Sequence, residues 1–79
     1  MHLKIKSPEK LLFDGDVYGI KATAKDGEVV CLNQHADYLT VLEKCDLVIL
    51  DEKIKPVETF TLDREYILFI ENNMAAVFS

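Results

Sequence analysis

Residues 7–42 read SPEKLLFDGDVYGIKATAKDGEVVCLNQHADYLTVL, and this stretch decides the fold. Two turn signals, Asp14-Gly15 and Asp26-Gly27, divide it into short runs of apolar and β-branched residues, and a polar loop then ends in His35-Ala36. Asp-Gly pairs between such runs are strong signals for tight hairpins. The stretch therefore predicts consecutive short strands.

Apolar and polar residues alternate in other parts of the chain as well. Leu3 and Ile5 alternate with lysines, as in a half-buried strand. Asn72-Asn73 offers the positive φ angles of a tight hairpin near the C-terminus. We predict one domain over residues 1–79, an all-β, small antiparallel β-sandwich of roughly eight to ten short strands. Its expected core comprises Leu3, Ile5, Phe13, Leu47, Ile49, Phe60, Leu62, Tyr66, Leu68 and Ile70.

Composition excludes several classes of protein. The apolar fraction of 49% is too high for a disordered chain, and the net charge of −5 argues against a nucleic-acid-binding surface. No run approaches the ~18 apolar residues of a membrane span. The chain is therefore expected to be cytosolic unless a partner holds it at a membrane. Without a recognisable signal peptide, Cys31 and Cys45 are expected to be reduced and unbridged.

Few residues suggest catalysis. Cys31 and His35 could form a nucleophile pair, and Cys45 could join them in a metal site, but their spacing matches no such motif, and a buried inert thiol is the better interpretation of Cys31. His2 is expected to be an exposed terminal residue. The three glycines fit no phosphate-binding loop, and the carboxylates are scattered over turns. We predict no catalytic residue, no cofactor, no metal and no small-molecule substrate.

The order of motifs resembles a known family. A Pro-Glu opening at Pro8, then Leu-Phe-Asp-Gly-Asp-Val, then Asp-Gly-Glu, then a short loop carrying His35-Ala36, closely resembles the epsilon subunit of F-type rotary ATP synthases. The resemblance covers essentially the whole chain but only the family's N-terminal β-sandwich. The family's inhibitory C-terminal helical hairpin is expected to be absent. Asn33-Gln34 stands where the family usually has Pro-Gly.

The resemblance implies a function. It predicts a non-catalytic rotor subunit that links the gamma shaft to the membrane c-ring, at the cytoplasmic face of a bacterial inner membrane and without inserting into it. By the same resemblance, Glu28, His35 and Ala36 would face the ring, and Ser7 and Thr40 would face gamma.

The expected ring contact requires particular geometry. Glu28 and His35 flank one short strand, so they can share one end of the sandwich only if the chain bends after Val30. Two alternatives stay open at this stage. One is a free-standing β-sandwich interaction module, and the other is a small enzyme whose cleft cannot be recognised in the sequence.

Overall fold

The computed structural model describes every residue from Met1 to Ser79 and contains strands but no helix. This confirms the prediction of an all-β domain. In chain order the strands are β1 (His2–Lys6), β2 (Leu11–Asp16), β3 (Gly19–Ala24), β4 (Gly27–Leu32), β5 (Tyr38–Leu42), β6 (Cys45–Leu50), β7 (Pro56–Leu62), β8 (Tyr66–Glu71) and β9 (Met74–Phe78).

The strands form one curled sheet that folds into two layers. Their order is β2-β1-β9-β8-β5-β3-β6-β7, and β4 lies beside β3. β3 joins the layers: residues 19–21 pair with β6, whereas Ala24 pairs with Leu42 of β5. We call β2, β1, β9, β8 and β5 the first layer, and β7, β6, β3 and β4 the second. The sheet is mixed, because β1 and β9 are parallel whereas all other neighbouring strands are antiparallel.

The core lies between the layers and follows the alternation of the sequence. Leu3 and Ile5 of β1 and Leu68 and Ile70 of β8 are completely buried. The predicted core is confirmed except for its two phenylalanines, Phe13 and Phe60, which are only partly buried. Their rings meet edge to face with centroids 5.6 Å apart and connect β2 with β7, the two ends of the strand order.

Two of the three predicted turns are found. The first turn lies between β3 and β4, where Gly27 takes a φ of 123°. The second lies between β8 and β9, where Asn72 and Asn73 take φ angles of 52° and 60°. Asp14-Gly15 is not a turn, because Gly15 lies inside β2 opposite Leu3. A Cβ at Gly15 would lie 3.3 Å from the ring of Phe13, so the glycine makes room for that ring.

Both cysteines are free in the structure. Cys31 is completely buried, and burial raises the pKa of its thiol. Cys45 is half-buried, and its Sγ accepts the Thr23 N–H at 3.4 Å, near the point where β3 leaves β6 for β5.

We predict that alkylation of the native protein modifies Cys45 before Cys31, because only Cys45 is within reach of the reagent. Mass spectrometry at increasing reaction times measures this order, and the unfolded chain, in which both thiols are accessible, is the control. A non-reduced protein that takes up no label even when unfolded would instead indicate a disulfide.

Candidate functional site

The outer side of the first layer is unusually apolar. On β8, Leu68 and Ile70 face the core, whereas Ile67 and Phe69 face outward and are 37% and 40% exposed. The register places further apolar residues beside them, with Leu39 opposite Phe69 on one side and Phe78 opposite Ile67 on the other. We call this surface the apolar face, and it consists of Leu39, Val41, Ile67, Phe69, Met74, Ala76 and Phe78.

Such a face is typical of a sheet that is covered on both sides. An antiparallel sheet with one solvated face normally shows polar residues there. On the apolar face, however, Leu39 is 66% and Met74 is 60% exposed. Contiguous exposed apolar surface of this kind marks protein interfaces on otherwise soluble domains. The sequence signal for this face is the unbroken apolar run over residues 66–70, in which Ile67 and Phe69 stand between the core residues.

A row of basic side chains borders the apolar face. β1 runs beside β9, so that His2 lies opposite Met74 and Lys4 lies opposite Ala76. Lys6 follows in the same row, and neither lysine makes an ion pair. A shallow hollow of about 330 Å³ lies where the basic row meets the apolar face. The outer side of the first layer therefore combines apolar contact area with charged side chains of both signs, because Asp14 and Asp16 of β2 lie beside this row and Glu71 lines the hollow.

The structure does not bring Glu28 and His35 to one end of the sandwich. β4 pairs with β3 without interruption from Gly27 to Leu32 and with no register shift, so the expected bend after Val30 is not found. The paired strand alone spans about 17 Å at ~3.3 Å per residue. Glu28 lies at its start and His35 lies beyond its end. β4 pairs only with β3, so its other edge is open.

The loop after β4 is well supported. Gln34 takes a φ of 68°, and its N–H donates to Asn73 Oδ1 at 2.7 Å. His35 Nδ1 donates to the Ala36 carbonyl at 2.6 Å, and its ring packs against Tyr38 with centroids 5.7 Å apart. A side-chain amide of the neighbouring hairpin thus fixes the loop, which places His35 and the exposed Ala36 in a defined position.

Ser7 and Thr40 offer less surface than the resemblance implies. Ser7 is buried, and its hydroxyl donates to the Lys10 carbonyl at 3.1 Å and accepts the Lys10 N–H at 3.2 Å. It therefore closes the turn between β1 and β2. Thr40 is half-buried and lies opposite Leu68, on the side of β5 away from the apolar face.

The residues that the sequence offered for a nucleophile pair or a metal site are not brought together. Cys31 is buried in β4, whereas His35 lies in the loop beyond it, and the two form no contact among the hydrogen bonds of the structure. No group of three or more His, Cys, Asp or Glu side chains is placed to hold a metal ion. Every buried side-chain nitrogen and oxygen has a hydrogen-bond partner. The structure also contains no helix that could cross a membrane.

Fold and surface together define a small β-sandwich domain with an exposed apolar face. The sequence model of the family described as "ATP synthase, Delta/Epsilon chain, beta-sandwich domain" matches residues 1–75. The chain belongs to this family.

Individual relatives agree with this assignment. An ATP synthase epsilon chain of Roseiflexus sp. (strain RS-1) is 39% identical over 54 residues, which cover 68% of this chain and 39% of that protein. The epsilon chain of Chloroflexus aurantiacus (strain ATCC 29366 / DSM 635 / J-10-fl) is 40% identical over 50 residues, which cover 63% and 36% of the two chains. The matches thus span less than two-fifths of the curated relatives.

A solved structure shares the fold. It is the central stalk and c-ring of the mitochondrial ATP synthase of Tetrahymena thermophila, in which one chain superposes with a TM-score of 0.73 at 21% identity. The match covers 99% of this chain and 61% of that chain.

Proposed function

We propose that this chain is a non-catalytic rotor subunit of an F-type ATP synthase, which links the gamma shaft to the membrane c-ring and supports the coupling of proton transport to ATP synthesis. The observation that carries the proposal is the apolar face, an exposed surface that calls for a protein partner. Family membership supports an ATP synthase as the assembly that supplies this partner. The central stalk that contains the structural neighbour supports the same assignment.

The apolar face is the proposed contact with gamma. Three neighbouring strands contribute to it, and Leu39 and Met74 are its most exposed members. Large apolar side chains near the centre of an interface usually supply most of its binding energy. This proposal leaves out Ser7, whose hydroxyl is committed to the β1–β2 turn, and Thr40, which lies on the other side of β5.

The open edge of β4 is the proposed contact with the c-ring. Glu28 lies at one end of this edge, and His35 and Ala36 lie past the other end. Between them Val30 is 42% exposed. An unpaired edge also presents backbone N–H and C=O groups to a partner. A ring that lies alongside β4 can thus contact all of these residues without any bend in the strand.

The proposed role is mechanical. Close-packed interiors deform little and transmit strain, and ten large core side chains of this domain are less than 2% exposed. A stiff sandwich between shaft and ring would let torque pass without slippage. In this role the chain needs no nucleotide or metal, and it stays at the cytoplasmic face of a bacterial inner membrane as a peripheral part of the complex.

We predict that replacing Glu28 and His35 together with alanine weakens co-purification with gamma and the c-ring and leaves the domain folded. Both side chains are on the surface, and removing polar contacts at an interface costs on the order of 1–2 kcal/mol. The measurement uses the tagged chain, captured from gently solubilised membranes, with gamma and c subunits quantified in the eluate.

The matched control is a double alanine variant at Glu58 and Thr59 on β7, an edge strand of the same layer with exposed polar residues. This control should recover as much gamma and c subunit as the parent chain. If the parent chain itself is recovered without gamma and ring, the rotor assignment is wrong. If the parent chain recovers gamma and the ring, but the Glu28 and His35 variant recovers as much of them as the control does, the ring contact lies elsewhere.

A further inference from the structure

His2 lies between two carboxylates on the outer side of the first layer. Its Nε2 is 2.6 Å from Asp14 Oδ1, and its Nδ1 is 2.9 Å from Asp16 Oδ1. The contacts join β1 to β2, because Asp16 is the register partner of His2 and Asp14 is that of Lys4. Both ring nitrogens are therefore used, each by a different residue of the neighbouring strand.

The two contacts together require a protonated ring. An ionised carboxylate can only accept hydrogen bonds, so each nitrogen that contacts one must carry a proton. Neutral imidazole has a single N–H, which leaves a lone pair facing the second carboxylate. Loss of one proton from His2 thus replaces an attraction by a repulsion, and one of the two contacts must open.

Apart from its pairing with β1, β2 packs against the core only through partly buried side chains. No residue of β2 is fully buried, whereas Leu3 and Ile5 of β1 are inaccessible to solvent. β2 pairs with β1 alone and ends the strand order. Directly after the cluster, the Val17 N–H donates to the Met1 carbonyl at 2.8 Å. Strand segments with few buried contacts open locally at low cost, so surface contacts weigh more there than in the core.

We propose that His2, Asp14 and Asp16 form a pH-sensitive latch that fastens the end of edge strand β2 to β1, closed while the imidazole is doubly protonated and open once it loses a proton. The latch is a property of the domain itself and does not depend on the proposed function. Its opening would loosen β2 and the Val17–Tyr18 crossover that leads into the second layer.

The direction of the effect follows from the charges. Hydrogen bonds that His2 donates, first to Asp16 and then to Asp14, raise the pKa of its imidazole above the ordinary value of 6.5. Because the folded-state pKa is the higher one, the latch contributes its full stabilisation below pH 6.5 and loses it as the pH rises through the raised value.

Other charged groups near His2 have to be separated from it. Lys4 follows on the same side of β1, and Glu71 lies across β9, where its register partner is Met74. The charged amino group of Met1 donates to Asn33 Oδ1 at 2.6 Å. Variants at position 2 leave all three of these groups in place.

The test is hydrogen exchange of the 79-residue chain by NMR, with the Val17 amide as reporter. Between about pH 6 and about pH 9, which brackets imidazole titration, its protection factor should fall roughly two- to fivefold, the range of exposed ion pairs. The Ser7 amide, which bonds to the Lys10 carbonyl at the other end of the β1–β2 pair, should not change.

Three variants complete the test. His2→Gln should show low protection at both pH values, and His2→Lys, which keeps a positive charge, should show high protection at both. His35→Gln is the matched histidine control and should keep the pH response of the parent chain. A parent chain without pH response at Val17, or a response that persists in His2→Gln, would overturn the proposal.

Discussion

Replacing Leu39 and Phe69 together with glutamate is expected to abolish co-purification with gamma and the c-ring while the domain stays folded. The two residues lie opposite each other on β5 and β8, near the centre of the apolar face. In the assembly, the substitution would place two carboxylates against an apolar partner surface without compensating hydrogen bonds. The loss should reach about 3 kcal/mol or more, on the order of a hundredfold in affinity.

The isolated domain should tolerate the same change. Both side chains point away from the core, and Leu39 is 66% exposed. Loss of their cross-strand contact is expected to lower the free energy of unfolding by less than about 1 kcal/mol. Urea unfolding and circular dichroism of the purified variant measure this, so that a defect in docking is not confused with a defect in folding.

A glutamate at Val57 provides the matched control. Val57 lies on β7 in the second layer and is 64% exposed, almost the same as Leu39. It is not part of the apolar face, so Val57→Glu should recover as much gamma and c subunit as the parent chain. Equal loss of capture in both variants would mean that added charge, rather than this face, disturbs assembly.

The second large effect is expected in the core. Leu68 is completely buried at the centre of β8, and Leu68→Ala should lower the free energy of unfolding by about 2–5 kcal/mol. A domain of this size has a total stability of roughly 4–12 kcal/mol. The variant should therefore lose a large part of its stability, measured by urea denaturation at constant temperature.

Leu39→Ala removes the same atoms from the neighbouring strand, at a site that is exposed in the isolated domain. We expect it to change stability by less than about 0.5 kcal/mol but to weaken capture of gamma. Comparison of the Leu68→Ala and Leu39→Ala variants thus distinguishes a residue that stabilises the fold from a residue that binds a partner. Similar stabilities for the two variants would contradict the division of β8 and β5 into a core side and a docking side.

Local signals predicted the parts of the fold that depend on neighbouring residues. Asp26-Gly27 and Asn72-Asn73 form turns because positive φ angles are required there and these residues tolerate them. Alternation placed Leu3 and Leu68 in the core, since the side-chain period of a strand is two. These inferences need no knowledge of which strands are neighbours.

The remaining features depend on register between distant strands. Asp14-Gly15 resembles a turn, but Gly15 continues β2 because Leu3 lies opposite it on β1. The same register places Asp16 beside His2, which the sequence suggested only as an exposed terminal residue. The apolar face was missed because the outward residues of β5, β8 and β9 become neighbours only in the folded sheet.

The most direct test of the rotor assignment is photo-crosslinking within the assembled enzyme. A photoreactive phenylalanine analogue replaces Phe69 in one variant and Val57 in a second variant. Membranes that contain each variant are irradiated, and the adducts are identified by mass spectrometry. We expect an adduct between position 69 and gamma, and no such adduct from position 57. The rotor assignment would be contradicted if position 69 gave no adduct with gamma, or if both positions gave equally abundant adducts with gamma.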